Sequence, residues 1–191
     1  MISDWLRGQT QGMVETVASL LNKLGLTPNA LTLLGLLMMF GTALVLAQGR
    51  FIVGGLLLGA VSMFDALDGG LARMTNRVTI FGAFLDSTTD RIAEAAIYGG
   101  LIYWYMSQNM PQEMLLAYAA IVGSLMVSYT RARAEGVGID CKVGWFTRFE
   151  RLAVLGLGLL TGWMLPALFI LALLSNVTAI QRILHVYQRA T

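Results

Sequence analysis

Four aspartates set into long apolar runs constrain this chain more than any other feature. The stretch Asp65-Ala66-Leu67-Asp68-Gly69-Gly70-Leu71-Ala72-Arg73 is followed, after eight residues, by Gly82, Asp86 and Asp90. On a helix, Asp65, Asp68 and Ala72 share one face, because side chains three, four and seven apart stack. Gly82, Asp86 and Asp90 share a face for the same reason. Two helices can therefore direct four carboxylates into one gap, with a glycine on each to let the backbones approach. Carboxylates gathered so closely repel one another unless cations lie between them. Hard oxygen donors at that density suit Mg²⁺, Mn²⁺ or Ca²⁺ and not zinc. The bland alternative is that the aspartates only pair with arginines to hold a bundle together. Burying four carboxylates is costly enough to favour a functional return instead.

Those aspartates interrupt a sequence that reads as membrane-embedded. Of 191 residues, 57% are hydrophobic and 13% charged, an apolar share above that of soluble domains. A span needs about 20 apolar residues, so this length accommodates about six with short connections. The expected architecture is an all-α membrane protein, a single domain over 1–191. It has six transmembrane helices (28–187) behind an N-terminal amphipathic helix (1–24) lying in the membrane interface. In that first helix Ile2, Trp5, Leu6, Met13, Val14 and Val17 oppose Arg7, Gln11, Glu15 and Lys23. Gly25 closes it, Thr27 is placed to cap the next helix, and Pro28 fits that helix's first turn.

The spans are expected at Ala30–Ala47, Phe51 to about Ala72, Ile80 to about Met106, about Met114 to Thr130, Leu152–Thr161 lengthened by the residues before it, and Leu165–Ile183. Gln48-Gly49-Arg50, Met74–Arg77 and Ser107–Gln112 read as loops, Arg131–Arg151 as a basic segment, and Gly162–Pro166 as a break. The first apolar run starts near Ala30 behind a polar stretch, so no cleavable signal peptide is expected. A lone cysteine, Cys141, excludes an internal disulfide.

Charge placement then orients the bundle. With six spans, Arg7, Lys23, Arg73, Arg77, Arg131, Arg133, Lys142, Arg148, Arg151, Arg182 and Arg189 fall on one side, and Arg50 alone on the other. That bias puts both termini and the aspartates at the cytoplasmic face of the cell membrane. A net charge of +2 is too small to imply nucleic acid. A wet pocket at that interface, holding divalent metal, suits chemistry on phosphates.

The Asp65–Asp90 stretch matches D-x2-D-G-x2-A-R-x8-G-x3-D-x3-D at every fixed position, and so resembles the signature of the CDP-alcohol phosphotransferases. The resemblance implies that all four aspartates bind one or two divalent ions, Mg²⁺ or Mn²⁺. It implies a CDP-linked lipid substrate, CDP-diacylglycerol or a relative, whose lipid-side phosphorus is attacked by an alcohol with release of CMP. Carried over, Asp65, Asp68 and Asp86 are ligands, and Asp90 is both ligand and general base. Gly69, Ala72 and Gly82 leave room for the cytidine end, and Arg73 neutralises phosphate charge. Thr32, within Pro28-Asn29-Ala30-Leu31-Thr32, lines the nucleotide side. The family also implies a homodimer.

The acceptor is read from the basic segment. Arg131, Arg133, Arg148 and Arg151 beside a metal-phosphate pocket suit a second anion, because the guanidinium fork matches phosphate geometry. The alternative is that they serve only the positive-inside bias or anionic head groups. Within the family the segment looks most like the phosphatidylinositol-phosphate synthases of bacteria, whose acceptor is inositol 1-phosphate. Arg131 stands where those enzymes often carry lysine. Glycerol 3-phosphate, as in phosphatidylglycerophosphate synthases, is the runner-up. Two other classes compete. A cation or proton transporter is disfavoured because no polar residues continue across the bilayer from the aspartates. A non-catalytic lipid-binding subunit is disfavoured by the intact ligands and base. Glu94, one turn beyond Asp90, is expected to pair with Arg91 or Arg77 rather than to bind metal.

Overall fold

Thr27 and Pro28 start the first helix as their chemistry dictates. The Thr27 hydroxyl accepts a hydrogen bond from the Ala30 amide at 3.3 Å, and Pro28 occupies the first turn of α1 (Pro28–Ala47). The computed structural model describes residues 27–74 and 79–190, and for 65–74 the helical backbone alone. The expected amphipathic helix over 1–24 and its closing Gly25 lie outside the described residues. A turn at Gly49, with φ +75°, leads into α2 (Phe51–Met74). Of the Met74–Arg77 loop, Met74 ends α2, and 75–77 lie outside the described residues. Thr79 caps α3 (Ile80–Ser107), accepting from the Gly82 amide at 2.9 Å. Then come α4 (Pro111–Gly136), α5 (Arg148–Thr161) and α6 (Met164–Ala190). All six elements among the described residues are helices.

Two boundaries differ from expectation, each for a physical reason. The fourth helix does not stop at Thr130: it continues through Arg131 and Arg133 to Gly136. Arg-Ala-Arg-Ala-Glu is a strong helix-forming run, and Arg131 and Glu135 form an i,i+4 pair at 2.8 Å. Gly138, at φ +82°, ends it. The fifth helix is extended backwards only as far as Arg148, because Thr147 stops it. The Thr147 amide donates to the Glu150 carboxylate at 2.9 Å, and the Thr147 hydroxyl donates to the same oxygen.

Among the described residues, three helices are long and apolar enough to cross a membrane: α1, α4 and α6. α3 has the length but carries Asp86, Asp90, Arg91 and Glu94 in its first half. α5 has 14 residues, a rise of about 21 Å against a hydrocarbon core of about 30 Å.

By its contacts the chain forms two compact units, one of Met1–Gly41 with Leu57–Ala93, the other of Thr42–Leu56 with Glu94–Thr191. The boundaries fall inside α1, α2 and α3, so no linker separates them. In the first unit Leu31, Met39, Leu58, Val61 and Ala93 are buried. The second is centred on α4 against α6, where small residues permit close approach. A Cβ on Gly123 would lie 2.6 Å from the Asn176 amide nitrogen. That amide donates to the Ala119 carbonyl at 3.1 Å and to the Ala172 carbonyl at 2.7 Å, tying the two helices together.

Gly100 tests this close-packing account. A Cβ there would collide with the Ala43 carbonyl oxygen and lie 3.0 Å from its carbon, whereas a Cβ on exposed Gly99 meets nothing within 4 Å. Gly100→Ala is expected to cost about 1–3 kcal/mol through overpacking. Gly99→Ala should be neutral or slightly stabilising, given alanine's helix propensity. Thermal unfolding of the two variants in detergent compares them directly; equal midpoints would contradict the packing.

Candidate functional site

The start of α3 is built from residues that satisfy their own polar groups. The run from Asp86 to Asp90 is Asp-Ser-Thr-Thr-Asp, a polar segment in an apolar chain. Its hydroxyls turn back onto the helix: Ser87 donates to Phe84 O at 2.9 Å, Thr88 to Phe84 O at 2.8 Å and Thr89 to Leu85 O at 2.9 Å. That leaves the two carboxylates as the outward chemistry of the segment. Asp86 and Asp90 lie one turn apart on one face, with Gly82 a turn earlier. Asp86 is half-buried, and the Asp90 side chain is 11% exposed, with Arg91 Nη1 at 3.4 Å. Arg91 is otherwise held by the Ser87 carbonyl at 2.6 Å.

Beside this face, the start of α1 comes close. A Cβ on Gly82 would lie 3.0 Å from Thr79 Oγ1 and 3.3 Å from Asn29 Oδ1. Thr32, one turn along α1, is buried, and its hydroxyl donates to the Pro28 carbonyl at 3.1 Å. Two helix N-termini thus meet at Gly82, and the missing side chain is what leaves the gap. Asn29 is a polar neighbour of that gap that had not been singled out from the sequence.

Asp65, Asp68, Gly69, Ala72 and Arg73 lie on the α2 backbone, and their side chains are outside the described set. Among the described residues no three metal-ligating side chains meet. The described donors, Asp86 and Asp90, do fit a divalent cation of the Mg²⁺ or Mn²⁺ type: two hard carboxylates on one face, one of them largely removed from water.

The four sequence-nominated arginines separate into different environments. Arg151 is 2% exposed and pairs with Glu94, Nε to Oε1 at 3.1 Å and Nη2 to Oε2 at 3.4 Å; Nη1 lies 3.4 Å from the Phe146 carbonyl. The expected Glu94 partner was Arg91 or Arg77; of these, Arg77 is outside the described residues, and Arg91 is taken by Ser87 and Asp90. Arg131 is exposed and paired with Glu135. Arg133 is exposed too, and because α4 continues through both, a separation of two residues turns it away from Arg131. Arg148 opens α5 and is half-exposed.

A fifth arginine, Arg182, enters the sequence reading only as one of the cytoplasmic-side charges and not as a site residue. Arg182 is 5% exposed in the middle of α6, its Nε donating to Val143 O at 2.9 Å and its Nη1 to Val127 O. It makes no ion pair among the described residues, and the charges of Arg131, Arg151 and Glu135 all bear on it. Gly144, at φ +113°, lets the loop lie against it: a Cβ there would be 2.6 Å from Thr178 Cγ2 and 3.4 Å from Arg182 Nε. One sequence signal did point to Arg182. Leu171, Ser175, Thr178 and Arg182 recur at helical spacing, and all are buried.

A model of the family described as CDP-alcohol phosphatidyltransferase matches residues 25–187. Phosphatidylinositol phosphate synthase of Corynebacterium glutamicum is 41% identical over 187 residues, covering 93% of this chain and 85% of that protein. Archaetidylinositol phosphate synthase of Methanothermobacter thermautotrophicus is 37% identical over 174 residues, covering 88% and 87%. Mycobacterium tuberculosis phosphatidylinositol phosphate synthase has been solved with CDP-DAG bound, and this chain superposes on it with a TM-score of 0.87 at 31% identity, covering 91% and 93%. The same enzyme in complex with manganese and citrate gives a TM-score of 0.85 at 31% identity, covering 91% and 88%. The chain belongs to the CDP-alcohol phosphatidyltransferase family. It is thus a membrane enzyme that transfers substituted phosphate groups, and the transporter and non-catalytic readings fall.

The narrow gap at Gly82 generates a prediction of its own. In Gly82→Ala the new methyl presses on the Thr79 hydroxyl that caps α3. The expected loss is that of a cap, about 0.5–2 kcal/mol, larger for Gly82→Val. Thermal melting in detergent reads it, and an unshifted Gly82→Val midpoint would mean the gap is not tight.

Proposed function

We propose that this chain transfers the phosphatidyl group, or a related lipid phosphoryl group, from a CDP-lipid to inositol 1-phosphate, releasing CMP. The observation that carries the acceptor assignment is Arg182, a buried guanidinium with backbone carbonyls but no carboxylate for a partner among the described residues. Taking such a charge out of water is costly unless an anion compensates it, and a phosphate monoester fits a guanidinium fork. Arg151 is the second anchor. Arg131 and Arg148 stand further out, and Arg133 has the weakest claim. The names and structures of the relatives support the same acceptor and a CDP-diacylglycerol-type donor.

In this reading Asp65, Asp68, Asp86 and Asp90 hold one or two Mg²⁺ or Mn²⁺ ions, as hard carboxylate donors on two helices would. Bound there, a divalent cation supplies charge neutralisation to the diphosphate and its leaving group. Thr32, Gly69, Ala72 and Gly82 accommodate the cytidine end of the lipid, and Arg73 its diphosphate. Asp90 accepts the proton of the acceptor's hydroxyl. The freed oxygen forms its bond to the lipid-side phosphorus, the bond to CMP breaks, and CMP leaves with the electron pair. The setting is the cytoplasmic face of the cell membrane, with α1–α6 crossing the bilayer, both termini inside, and the enzyme working as a homodimer. Glycerol 3-phosphate remains the second candidate, since it too carries a phosphate for Arg182 and Arg151.

CMP release by the purified protein from CDP-diacylglycerol tests the proposal. Inositol 1-phosphate is expected to support turnover, glycerol 3-phosphate less, and free inositol or serine not at all. EDTA should abolish the activity, and Mg²⁺ or Mn²⁺ restore it. Full activity with unphosphorylated inositol would sink the acceptor assignment and leave the class intact.

Asp90→Asn separates binding from chemistry. It should keep the KM for CDP-lipid and lose at least about a hundredfold in kcat, the scale of a general base. Turnover close to wild type would place the base elsewhere.

A further inference from the structure

We infer that Glu94 is a positioning residue for the transfer reaction: it turns the guanidinium of Arg151 so that its far end faces the acceptor's phosphate. The inference rests on the acceptor reading above. An arginine has five N–H donors in a fixed plane. Here Nε and Nη2 are taken side-on by the two Glu94 oxygens, at 3.1 and 3.4 Å, and Nη1 is 3.4 Å from the Phe146 carbonyl. Those contacts use three of the five donors and leave one N–H on each Nη. With the inner Nη1 hydrogen left over, these two N–H groups make the end-on fork that grips two phosphate oxygens at once.

The charge arithmetic points the same way. Arg151 and Glu94 are 3% and 9% exposed at their side chains and neutralise each other. Arg182 then brings the one unneutralised buried guanidinium among the described residues. A pocket of two bare guanidiniums would be hard to fold empty, whereas one neutralised fork beside one bare charge is affordable and still attracts a phosphate. Tyr98, one turn beyond Glu94 and 1% exposed, stands close enough for both charges of the pair to act on it.

The test uses the full chain in nanodiscs, with CDP-diacylglycerol saturating and inositol 1-phosphate varied. Glu94→Gln is expected to raise the acceptor KM about tenfold, the scale of one charged hydrogen bond, and to leave the CDP-lipid KM within about twofold. Because Glu94 works through Arg151, adding Glu94→Gln to Arg151→Gln should raise the acceptor KM no further. If Glu94→Gln alters only the melting temperature, or if the double variant shows the product of the two single effects, Glu94 is structural and the inference is overturned. The acceptor reading would survive that result, since it stands on wild-type turnover with inositol 1-phosphate. Should Glu94→Gln fail to fold, Glu94→Asp keeps the charge and shortens the reach. It is expected to raise the acceptor KM alone, and an unmoved KM overturns the inference. A wild type that accepts no phosphorylated alcohol overturns both.

Discussion

A charge taken out of water must find compensation, and the second unit of this protein is organised by that requirement. Arg151 finds it in Glu94, which lies 57 residues earlier in the chain and so fastens α5 to α3. Arg182 has two neutral acceptors instead, the carbonyls of Val127 and Val143. The first belongs to α4 and the second to a non-helical segment, so one side chain of α6 holds a helix and a loop together. The loop can approach because Gly144 adopts φ +113° and has no side chain to strike Thr178. Cys141 and Phe146 are buried on the same segment. What reads as a polar, basic connection therefore sends two residues into the core, and a guanidinium holds its Val143 carbonyl.

Uncharged polar groups obey the same rule more cheaply. Ser62, Thr88, Thr89, Thr130 and Thr161 each donate to a carbonyl four residues back. In a helix surrounded by apolar groups this satisfies the hydroxyl without a partner helix. The consequence for the site is selective. Between Asp86 and Asp90 every hydroxyl is turned inward on its own helix, so the carboxylates alone give that face its chemistry.

The sequence was legible wherever a local rule decided the outcome. Thr27-Pro28 marked a helix start, Gly49 a turn, and the spacing of Gly82, Asp86 and Asp90 a shared face. It was less legible where local and longer-range signals competed. Arg131–Glu135 reads as the start of a basic segment beyond a span ending near Thr130, yet helix propensity and an i,i+4 pair carry α4 past it. Thr147 and Glu150 form a capping box whose spacing was visible in the sequence but was hidden in a run read only for its charge. The Glu94–Arg151 pair could not have been read at all, since no periodicity links residues on different helices. Arg182 was half-legible: its helical register with Ser175 and Thr178 placed it on a buried face, but its charge counted it among the surface residues.

The shortness of α5 gives these arginines their setting. With Thr147 fixing its start and Gly162, at φ +78°, its end, the helix cannot be lengthened at either side. Arg151 therefore sits in the first turn and a half, where the unpaired amides of a helix N-terminus add positive potential. Buried charge and helix-terminal potential thus coincide at one place, where Glu94 and the capping Glu150 are the counter-charges. Trp145 and Trp163, 87% and 73% exposed, flank the two ends of the helix, in the pattern of aromatic residues at a membrane–water boundary. A helix of about 21 Å between such anchors draws the polar boundary inward on its side of the protein. Polar groups on that side then have less hydrocarbon to cross than a full-length span would impose.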